Sequence, residues 1–212
     1  MSDFNEKNLH SDPEEMESTE IRREKQKPAS QYNPALTEVL GSEMIYNAHV
    51  FDVSKLTVKL PNGKVRKYDL VEHVPAVVII PVTDEGLILF VKQYRVGARK
   101  VMLELPAGIL NGESGNEDPL QAADRECREE TGYEASSLKR IGGFFMTPGY
   151  CTEYIHVYLA TELWPNPLPQ DDDEFLNIEG IPIEEVYQMA ESGMLDDAKT
   201  IAALMIAQPY IR

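Results

Sequence analysis

The sequence predicts a mixed α/β protein, and three observations lead to that fold class. Segments of strand-like composition recur between residues 50 and 178. One helical segment, 118–131, interrupts them, and two further helical segments, 183–192 and 196–206, follow the last strand. Because strands outnumber helices and do not alternate with them one for one, the order predicts a mixed or antiparallel sheet rather than a βαβ array.

The first predicted strands lie near the amino terminus. Residues 50–53 and 56–60 alternate apolar and polar side chains, which is typical of half-buried strands. The segment 61–64 contains Asn-Gly, a strong turn signal, and residues 65–71 return as a second alternating strand. This pattern predicts an N-terminal β-hairpin extension within a strand region that we assign to residues 36–72.

The remaining strands are expected to build the core. Residues 76–82 form a continuous apolar run of strand length, which favours a central strand buried on both faces. The final helical segment carries Ile201, Leu204 and Met205 at the spacing of a core-facing stripe. Further strands are predicted at 87–94, 102–105, 138–145, 154–163 and 175–178.

Residues 1–35 differ from the rest of the chain in composition. They are polar and charged and contain Pro13, Pro28 and Pro34, with almost no apolar periodicity. Such a segment buries too little surface to offset the entropy of ordering it, so we expect a flexible acidic tail. Docking of this tail onto a partner subunit is the alternative.

Composition restricts the partners and the compartment. The chain has 212 residues and a formal net charge of −16, with a pI near 4.6. An acidic field repels nucleic-acid phosphates and anionic membranes, so we expect neither as a partner. The sequence has no run of about 18 apolar residues and no basic start followed by an apolar stretch. Together with only two cysteines, Cys127 and Cys151, this predicts a cytoplasmic protein with reduced thiols.

The helical segment 118–131 has clear ends. Asp118 is a good N-cap, Pro119 suits the first helical position, and Gly132 suits the position that follows the last turn. One face of this helix is predicted to be an apolar stripe, and the residues beside the stripe are the candidates for its function. The stripe itself is predicted to consist of Leu120, Ala123 and Cys127.

Glu126, Glu129 and Glu130 lie on the face beside this stripe. Like charges three and four residues apart on a helix repel each other, and more strongly where solvent is excluded. Hard oxygen ligands gathered on one rigid helix suit Mg²⁺ or Mn²⁺. Arg125 can pair with Glu129 one turn away and orient its carboxylate. From these residues alone, a metal site and an ordinary solvated glutamate-rich helix both remain open.

The string GILNGESGNEDPLQAADRECREETGY at residues 108–133 resembles the signature box of the Nudix hydrolases. Two positions depart from the usual box: Asn111 stands where the first glycine is usual, and Cys127 replaces a leucine or isoleucine. The resemblance implies a Nudix α/β/α sandwich around a mixed β-sheet, formed by residues 73–212. The matching positions are Glu117, Arg125, Glu126, Glu129, Glu130, Gly132 and Tyr133.

The family resemblance also implies the chemistry of the site. Nudix hydrolases use water to attack a phosphorus atom of a nucleoside diphosphate linked to another group. The implied cofactor is Mg²⁺, for which Mn²⁺ could substitute. By motif position, Glu126 and Glu130 would be the principal metal ligands, with Glu129 shared between metal binding and catalysis. The backbone carbonyl of Ala107 would be a further ligand, and Arg125 would orient the catalytic carboxylates.

Motifs outside the box resemble the ADP-ribose pyrophosphatase branch of the family. This branch resemblance implies a small-molecule substrate, either ADP-ribose, cleaved to AMP and ribose 5-phosphate, or a related nucleoside diphosphate sugar. Another sugar nucleotide such as GDP-mannose is the alternative substrate, and a non-catalytic nucleotide-sensing Nudix domain is the alternative function. The motifs are QYR at 93–95, LELPAG at 103–108, MTPGYCTE at 146–153 and DAKTIAAL at 197–204.

The same resemblance supplies candidate substrate-binding residues. Arg95 and Arg99 could bring positive charge to the diphosphate or to the terminal ribose, although Arg99 could equally be a surface side chain. Pro148 occupies the position of the proline that this branch carries beyond the box. Glu153 could accept hydrogen bonds from ribose hydroxyls or stand solvated in a loop.

The acidic run 171–174 has two interpretations. One is a solubilising loop. The other, implied by the branch, is that Glu174 acts as the general base, because a carboxylate can accept the proton of the attacking water at neutral pH. Asp173 is the alternative base.

Members of this branch are usually dimers whose amino-terminal strands cross to the partner. The strand region 36–72 is therefore the expected dimerisation arm of a homodimer. Tyr46 or Phe51 could then stack on a nucleobase, and core packing is the alternative for both residues.

Overall fold

The computed structural model describes most of the chain. The acidic run with Glu174 and Asp173, and the predicted tail up to residue 32, lie outside the described residues. No helix within the described part of the chain is long and apolar enough to cross a membrane. The described ranges are 33–48, 50–112, 115–170 and 175–212.

The described residues divide into two compact units. One comprises the residues up to Ser42 together with Leu56–Tyr68. The other comprises Glu43–Lys55 together with Asp69–Arg212. The second unit contains the residues of the predicted box and is the part of the chain that builds the candidate site.

A three-stranded sheet begins the described chain. A short 3₁₀ turn at Pro34–Leu36 precedes it, and its strands pair in the order β1-β2-β3. The Asn-Gly turn joins β2 to β3 as predicted, since Gly63 has a φ of 80° and the Leu60 amide donates to the Lys64 carbonyl at 2.8 Å. The strands are β1 (Glu38–Asn47), β2 (Phe51–Lys59) and β3 (Val65–His73).

The predicted hairpin is present as β2 and β3, and the sheet contains a further strand, β1, that the sequence did not predict. The sequence of β1 does not alternate cleanly between apolar and polar residues, and all ten of its residues are exposed. Hydrophobic patterning therefore does not mark it. In addition, β2 runs continuously through the buried Ser54, where the sequence predicted a break between two segments.

A four-stranded mixed sheet forms the centre of the second unit. Its order is β7-β4-β9-β8; β4 runs parallel to β9, whereas the pairs β4–β7 and β8–β9 are antiparallel. Every residue of β4 is buried, which confirms the predicted central strand. The strands are β4 (Ala76–Pro81), β7 (Ala107–Ile109), β8 (Tyr133–Phe145) and β9 (Tyr154–Pro165).

A further three-stranded sheet has the order β10-β5-β6 and is antiparallel throughout. Its strands are β5 (Leu87–Arg95), β6 (Lys100–Glu104) and β10 (Asn177–Pro182). The last strand begins two residues later than the predicted segment 175–178 and extends to Pro182. Phe175, predicted to lie in the strand, is 84% exposed.

Three α-helices complete the described second unit: α1 (Pro119–Thr131), α2 (Ile183–Glu191) and α3 (Ala198–Ile211). Side chains of alternate residues of β4 lie on opposite faces of the mixed sheet. Val77 packs in one apolar cluster with Ala123 of α1, whereas Val78 packs in another with Leu204 of α3. The sheet therefore lies between α1 and α3, which confirms the predicted α/β/α arrangement.

Two predicted helix stripes are partly wrong. In α1, Leu120 is 48% exposed, and Ala122 joins the core beside Ala123 and Cys127. In α3, Ile201 and Met205 are exposed, and the core face is instead formed by Thr200, Ala203, Leu204 and Ala207. The small alanines let α3 approach the sheet closely, so the larger apolar side chains do not mark the buried face.

Candidate active site

The ends of α1 are fixed by local interactions. The Asp118 carboxylate accepts a hydrogen bond from the Leu120 amide at 2.7 Å, which caps the first turn. Gly132 ends the helix with a φ of 76°, a left-handed conformation that glycine adopts without side-chain strain. The helix between these ends turns Glu126 and Glu130 inward, and they are only 7% and 2% exposed.

Arg125 of α1 is the centre of an ion-pair cluster that joins the helix to the loop before it. Its Nε and Nη2 donate to the Glu117 carboxylate at 3.1 and 3.0 Å. Its Nη1 donates to Glu126 at 2.6 Å and to Glu129 at 2.9 Å. The predicted pairing of Arg125 with Glu129 is therefore present within a larger group. We call these four side chains the Arg125 cluster.

The Arg125 cluster has more negative than positive charge. Burial opposes the charge of the guanidinium, but hydrogen bonds and charges from its carboxylate partners outweigh this effect and raise the pKa of Arg125. The guanidinium is thus protonated throughout the accessible pH range. The guanidinium contacts three carboxylates within the cluster, and acidic side chains gathered in this way attract a divalent cation.

Glu117 ties the loop before α1 to the helix. Its carboxylate accepts a hydrogen bond from the Asn111 amide at 2.7 Å in addition to those from Arg125. The hydrogen bond from Arg125 is the largest cause of a lowered pKa for Glu117. Asn111, which departs from the usual box glycine, therefore contributes its backbone to the site.

Glu126 and Glu130 contact the backbone of β7. A Cβ added at Gly108 would lie 2.0 Å from Glu126 Oε1, so a side chain at this position would displace the carboxylate. Glu130 accepts a hydrogen bond from the Ala107 amide at 2.9 Å. The glycine in LELPAG thus makes room for one box glutamate, while the neighbouring residue binds the next.

Ala107 and Ile109 turn polar backbone groups toward α1. The Ala107 amide binds Glu130, and the Ile109 carbonyl accepts a hydrogen bond from Arg125 Nη2 at 3.2 Å. Residues of an antiparallel pair alternate between those that bond to the partner strand and those that bond outward. Since the amide and carbonyl of one strand residue point the same way, the Ala107 carbonyl also leaves β7 on the side of α1.

The oxygen atoms of this site are of the kind that a small divalent cation prefers. Carboxylates of Glu126, Glu129 and Glu130 and the carbonyl of Ala107 are hard donors that suit Mg²⁺ or Mn²⁺. Within the described ranges, no three acidic, His or Cys side chains form a metal-binding group by themselves. Mg²⁺ commonly completes its coordination with water and substrate phosphate, so this donor set fits it.

Arg95, at the end of β5, is held by a buried carboxylate. Its Nε and Nη2 donate to the two oxygens of Glu104 at 2.8 and 2.7 Å, and Lys199 of α3 donates to the same carboxylate. Burial would raise the pKa of Glu104, but the two cations lower it. Glu104 and Lys199 are absent from the sequence-based site; the available signal was a charge inside the apolar run at 103–106.

The other predicted substrate-binding residues lie in turns and in the N-terminal sheet. Arg99 is exposed in the turn between β5 and β6, with a φ of 55°. Pro148 is exposed in the turn after β8, and the Glu153 carbonyl accepts a hydrogen bond from the Met146 amide at 3.1 Å. Phe51 begins β2 and is 40% exposed. The roles of these residues stay predictions.

Comparison with known families assigns the box helix. The NUDIX domain model matches residues 72–204, more than half of the chain. The chain belongs to the Nudix family. This membership confirms the family predicted from the glutamate-rich box, and it identifies α1 as the Nudix helix. The mixed sheet and the two helices that cover it, α1 and α3, accordingly form the Nudix sandwich.

Curated Nudix relatives match most of the chain. The sequence is 39% identical over 173 residues to the ADP-ribose pyrophosphatase of Bacillus subtilis strain 168, covering 81% of this chain and 92% of that protein. It is 36% identical to the methanol dehydrogenase activator of Bacillus methanolicus, with the same two coverages. Family and relatives together make this chain a Nudix pyrophosphohydrolase, as predicted.

A solved structure supports the same fold. The crystal structure of an ADP compounds hydrolase superimposes with a TM-score of 0.73 and 24% sequence identity. The match covers 82% of this chain and 93% of that chain. The resemblance therefore extends across the sandwich rather than being confined to the box helix.

Proposed function

We propose that this Nudix hydrolase cleaves the diphosphate of ADP-ribose or a related nucleoside diphosphate sugar, releasing a nucleoside monophosphate and a sugar phosphate. One observation carries the proposal: buried Glu126 and Glu130 meet the β7 backbone beside Arg125, so hard oxygen donors converge on one spot. Similarity to the Bacillus subtilis ADP-ribose pyrophosphatase supports ADP-ribose as the first substrate to test.

Mg²⁺ is the proposed cofactor, with Mn²⁺ as a substitute. Glu126 and Glu130 would be its principal ligands. Glu129 and the Ala107 carbonyl would be the remaining protein ligands. When bound, the ion would neutralise the diphosphate and stabilise the charge that develops on the leaving phosphate. Arg125 holds Glu126 and Glu129 through Nη1 and thereby fixes where their oxygens point.

The general base is proposed to be Glu174, with its neighbour Asp173 as the alternative. A carboxylate within reach of the attacking water can accept its proton at neutral pH. A Glu174→Gln variant keeps the shape and loses the basicity, so kcat should fall by about 100-fold. An Asp173→Asn variant measured alongside decides between the two residues, and unchanged kcat in the first variant would sink the assignment.

Substrate contacts are proposed for five residues outside the box. Arg95 and Arg99 would bring positive charge to the diphosphate or the terminal ribose. Glu153 would accept hydrogen bonds from ribose hydroxyls, and Pro148 and Phe51 would contact the nucleotide. Of these, Arg95 has the best support, since Glu104 binds its Nε and Nη2 and leaves the Nη1 side of the guanidinium for an anion.

A substrate panel tests the proposed reaction. Purified protein would be mixed with ADP-ribose, GDP-mannose and other nucleoside diphosphate sugars in the presence of Mg²⁺ or Mn²⁺. We expect phosphate to be detected only after a phosphatase acts on the products, with ADP-ribose turned over fastest. The proposal fails if no member of the panel is hydrolysed with either metal.

A regulatory role is the second candidate. The relative from Bacillus methanolicus is named as an activator of an enzyme, which favours a partner protein for some members of this group. A purely sensing domain would bind nucleotide without hydrolysis, whereas this chain keeps Glu126, Glu129 and Glu130 together. Nucleotide binding without any turnover in the panel would favour the sensor.

A homodimer formed through residues 36–72 is also proposed. β1 presents several large apolar side chains to solvent, with Val39 61%, Ile45 51% and Tyr46 61% exposed. Exposed apolar patches of this kind are typical of interaction surfaces. Light scattering during gel filtration should give twice the chain mass, and an Ile45→Glu variant should give the monomer. The cytoplasmic location stays a prediction.

A further inference from the structure

A second polar cluster lies where β6 meets the start of α3. Glu104 is 1% exposed and accepts two hydrogen bonds from Arg95, at 2.8 and 2.7 Å. Lys199 donates to the same carboxylate and to Asp197, the latter at 2.9 Å. We call these four side chains the Glu104 cluster. Two acidic and two basic side chains balance its charge.

The Glu104 cluster is tied to the backbone that holds Glu130. Asp197 caps α3 by accepting hydrogen bonds from the amide and the hydroxyl of Thr200, at 3.1 and 2.6 Å. The Thr200 hydroxyl in turn accepts a hydrogen bond from the Leu105 amide at 2.9 Å. Leu105 precedes Ala107 by two residues, and the Ala107 amide binds Glu130. A continuous path of hydrogen bonds and short backbone therefore links α3 to the Nudix helix.

Glu104 fixes the orientation of the Arg95 guanidinium. A bidentate contact through Nε and Nη2 sets both the position and the plane of the group. The Arg95 side chain is 41% exposed, so its Nη1 side can receive an anion. Glu104 lies three residues before Ala107, whose amide binds Glu130, so Arg95 is anchored to the strand segment that leads into the contact with the Nudix helix.

We propose that Glu104 and Lys199 are positioning residues, which hold Arg95 so that its Nη1 side meets the diphosphate of the substrate. This inference rests on the proposed function, because the diphosphate is the group that Arg95 would contact. Lys199 acts through Glu104: a buried carboxylate held from two sides cannot follow the guanidinium when Arg95 moves. With Lys199 removed, the Glu104 carboxylate loses one of the two side chains that hold it, and the direction of the Arg95 guanidinium becomes less defined.

A double-mutant cycle on diphosphate binding tests this inference. The four proteins are the wild type, Lys199→Met, Arg95→Met and the double variant, and the probe is ADP with Mg²⁺, titrated by calorimetry. We expect Lys199→Met alone to weaken ADP binding about tenfold. In the Arg95→Met background the same change should have less than about a twofold effect, because the residue it positions is gone.

Independent effects of the two substitutions would overturn the inference, since Lys199 would then act without Arg95. A wild type that does not bind ADP would overturn it as well. If the double variant fails to fold, Glu104→Gln replaces Lys199→Met in the cycle, because a neutral amide leaves no unpaired carboxylate when Arg95 is replaced, and Lys199 keeps its ion pair with Asp197. The same non-additive result is expected from it.

Two further variants separate positioning from general stabilisation. Lys199→Arg keeps the cation and should restore ADP binding to within about threefold of the wild type. Lys92→Met removes a half-exposed ion pair with Glu179 (2.5 Å), one that also involves β5 but lies outside the Glu104 cluster. It should leave ADP binding unchanged, and an equal loss there would contradict a specific role for Lys199.

The substrate panel distinguishes failure of this inference from failure of the proposed function. Coupled ADP binding in a protein that hydrolyses no nucleoside diphosphate sugar would contradict the function and support the positioning role. Hydrolysis of ADP-ribose with independent effects of Lys199 and Arg95 would do the reverse.

Discussion

The Arg125 cluster and the Glu104 cluster are built from the same residue types but differ in charge balance. In the first, a single guanidinium faces three carboxylates, those of Glu117, Glu126 and Glu129. In the second, two cations face two carboxylates, and the most buried carboxylate is held by both cations. Both clusters lie against segments that lead into or form β7.

We expect this difference in charge balance to separate a reactive site from a supporting one. Neighbouring carboxylates that outnumber the cations of their cluster suit a divalent ion, so we expect the Arg125 cluster to bind one. A balanced cluster has no such requirement and instead fixes the geometry of its members. In this chain we therefore expect the net charge of a cluster to indicate its function better than its burial does.

Neutralising a box glutamate should produce the largest effect. A Glu130→Gln variant keeps the shape and can still accept a hydrogen bond from the Ala107 amide, but it loses the charge that the proposed metal ion would require. We expect kcat on ADP-ribose to fall by about 1,000-fold, with circular dichroism and the unfolding midpoint close to those of the wild type. A variant with near-normal kcat would show that the excess charge of α1 has no catalytic purpose.

Removing one cation from each cluster should distinguish the two clusters, because only one variant should be stabilised by Mg²⁺. An Arg125→Met variant removes the guanidinium that contacts three neighbouring carboxylates, and should lower the free energy of unfolding by about 3 kcal/mol in EDTA. Added Mg²⁺ should recover part of this loss. Lys199→Met is the matched variant from the Glu104 cluster, and Mg²⁺ should not recover its loss. Equal recovery in both variants would contradict the comparison.

Acid should weaken both clusters, since the pKa of Glu117 and the pKa of Glu104 are both lowered in the folded protein. A lowered pKa adds stability above the unfolded value, about 4.3, and this contribution disappears as pH falls through the folded value. Urea unfolding from pH 7 to pH 3 should therefore show a shallower decline in the free energy of unfolding for Glu117→Gln than for the wild type. Identical slopes in wild type and variant would rule out this contribution.

The smallest effect concerns the thiol on the inward face of α1. Burial raises the pKa of Cys127 to about 11, and nearby Asp124 and Glu130 act in the same direction. At pH 8 the thiolate should therefore be scarce, and a thiol reagent should modify Cys127 only as fast as the native state opens. Rapid labelling in the native protein would show that this face of α1 is accessible.

Much of the fold could be predicted because local patterns and tertiary structure agree. The apolar run of β4 and the Asp118 and Gly132 ends of α1 carry their signals in neighbouring residues. β1 and β7 do not, since one is exposed along its whole length and the other is three residues long. The buried face of α3 was also hidden, because alanines rather than Ile201 and Met205 fill it.

The candidate site divides in the same way. Glu117 and Arg125 are eight residues apart, so a local motif contains both partners. Glu104 and Lys199 are 95 residues apart, and only the packing of α3 against the sheet brings them together. Sequence patterns therefore reveal the Arg125 cluster, whereas the Glu104 cluster is found only from the tertiary structure.

Direct measurement of metal binding tests the central claim, that the excess carboxylates of α1 hold a divalent cation. Mn²⁺ binding would be followed by electron paramagnetic resonance for the wild type, a Glu126→Gln/Glu130→Gln variant and Lys199→Met. We predict saturable binding to the wild type, a loss of affinity of at least about tenfold in the glutamine variant, and no change in Lys199→Met. Equal Mn²⁺ affinity in the wild type and the glutamine variant would contradict the account.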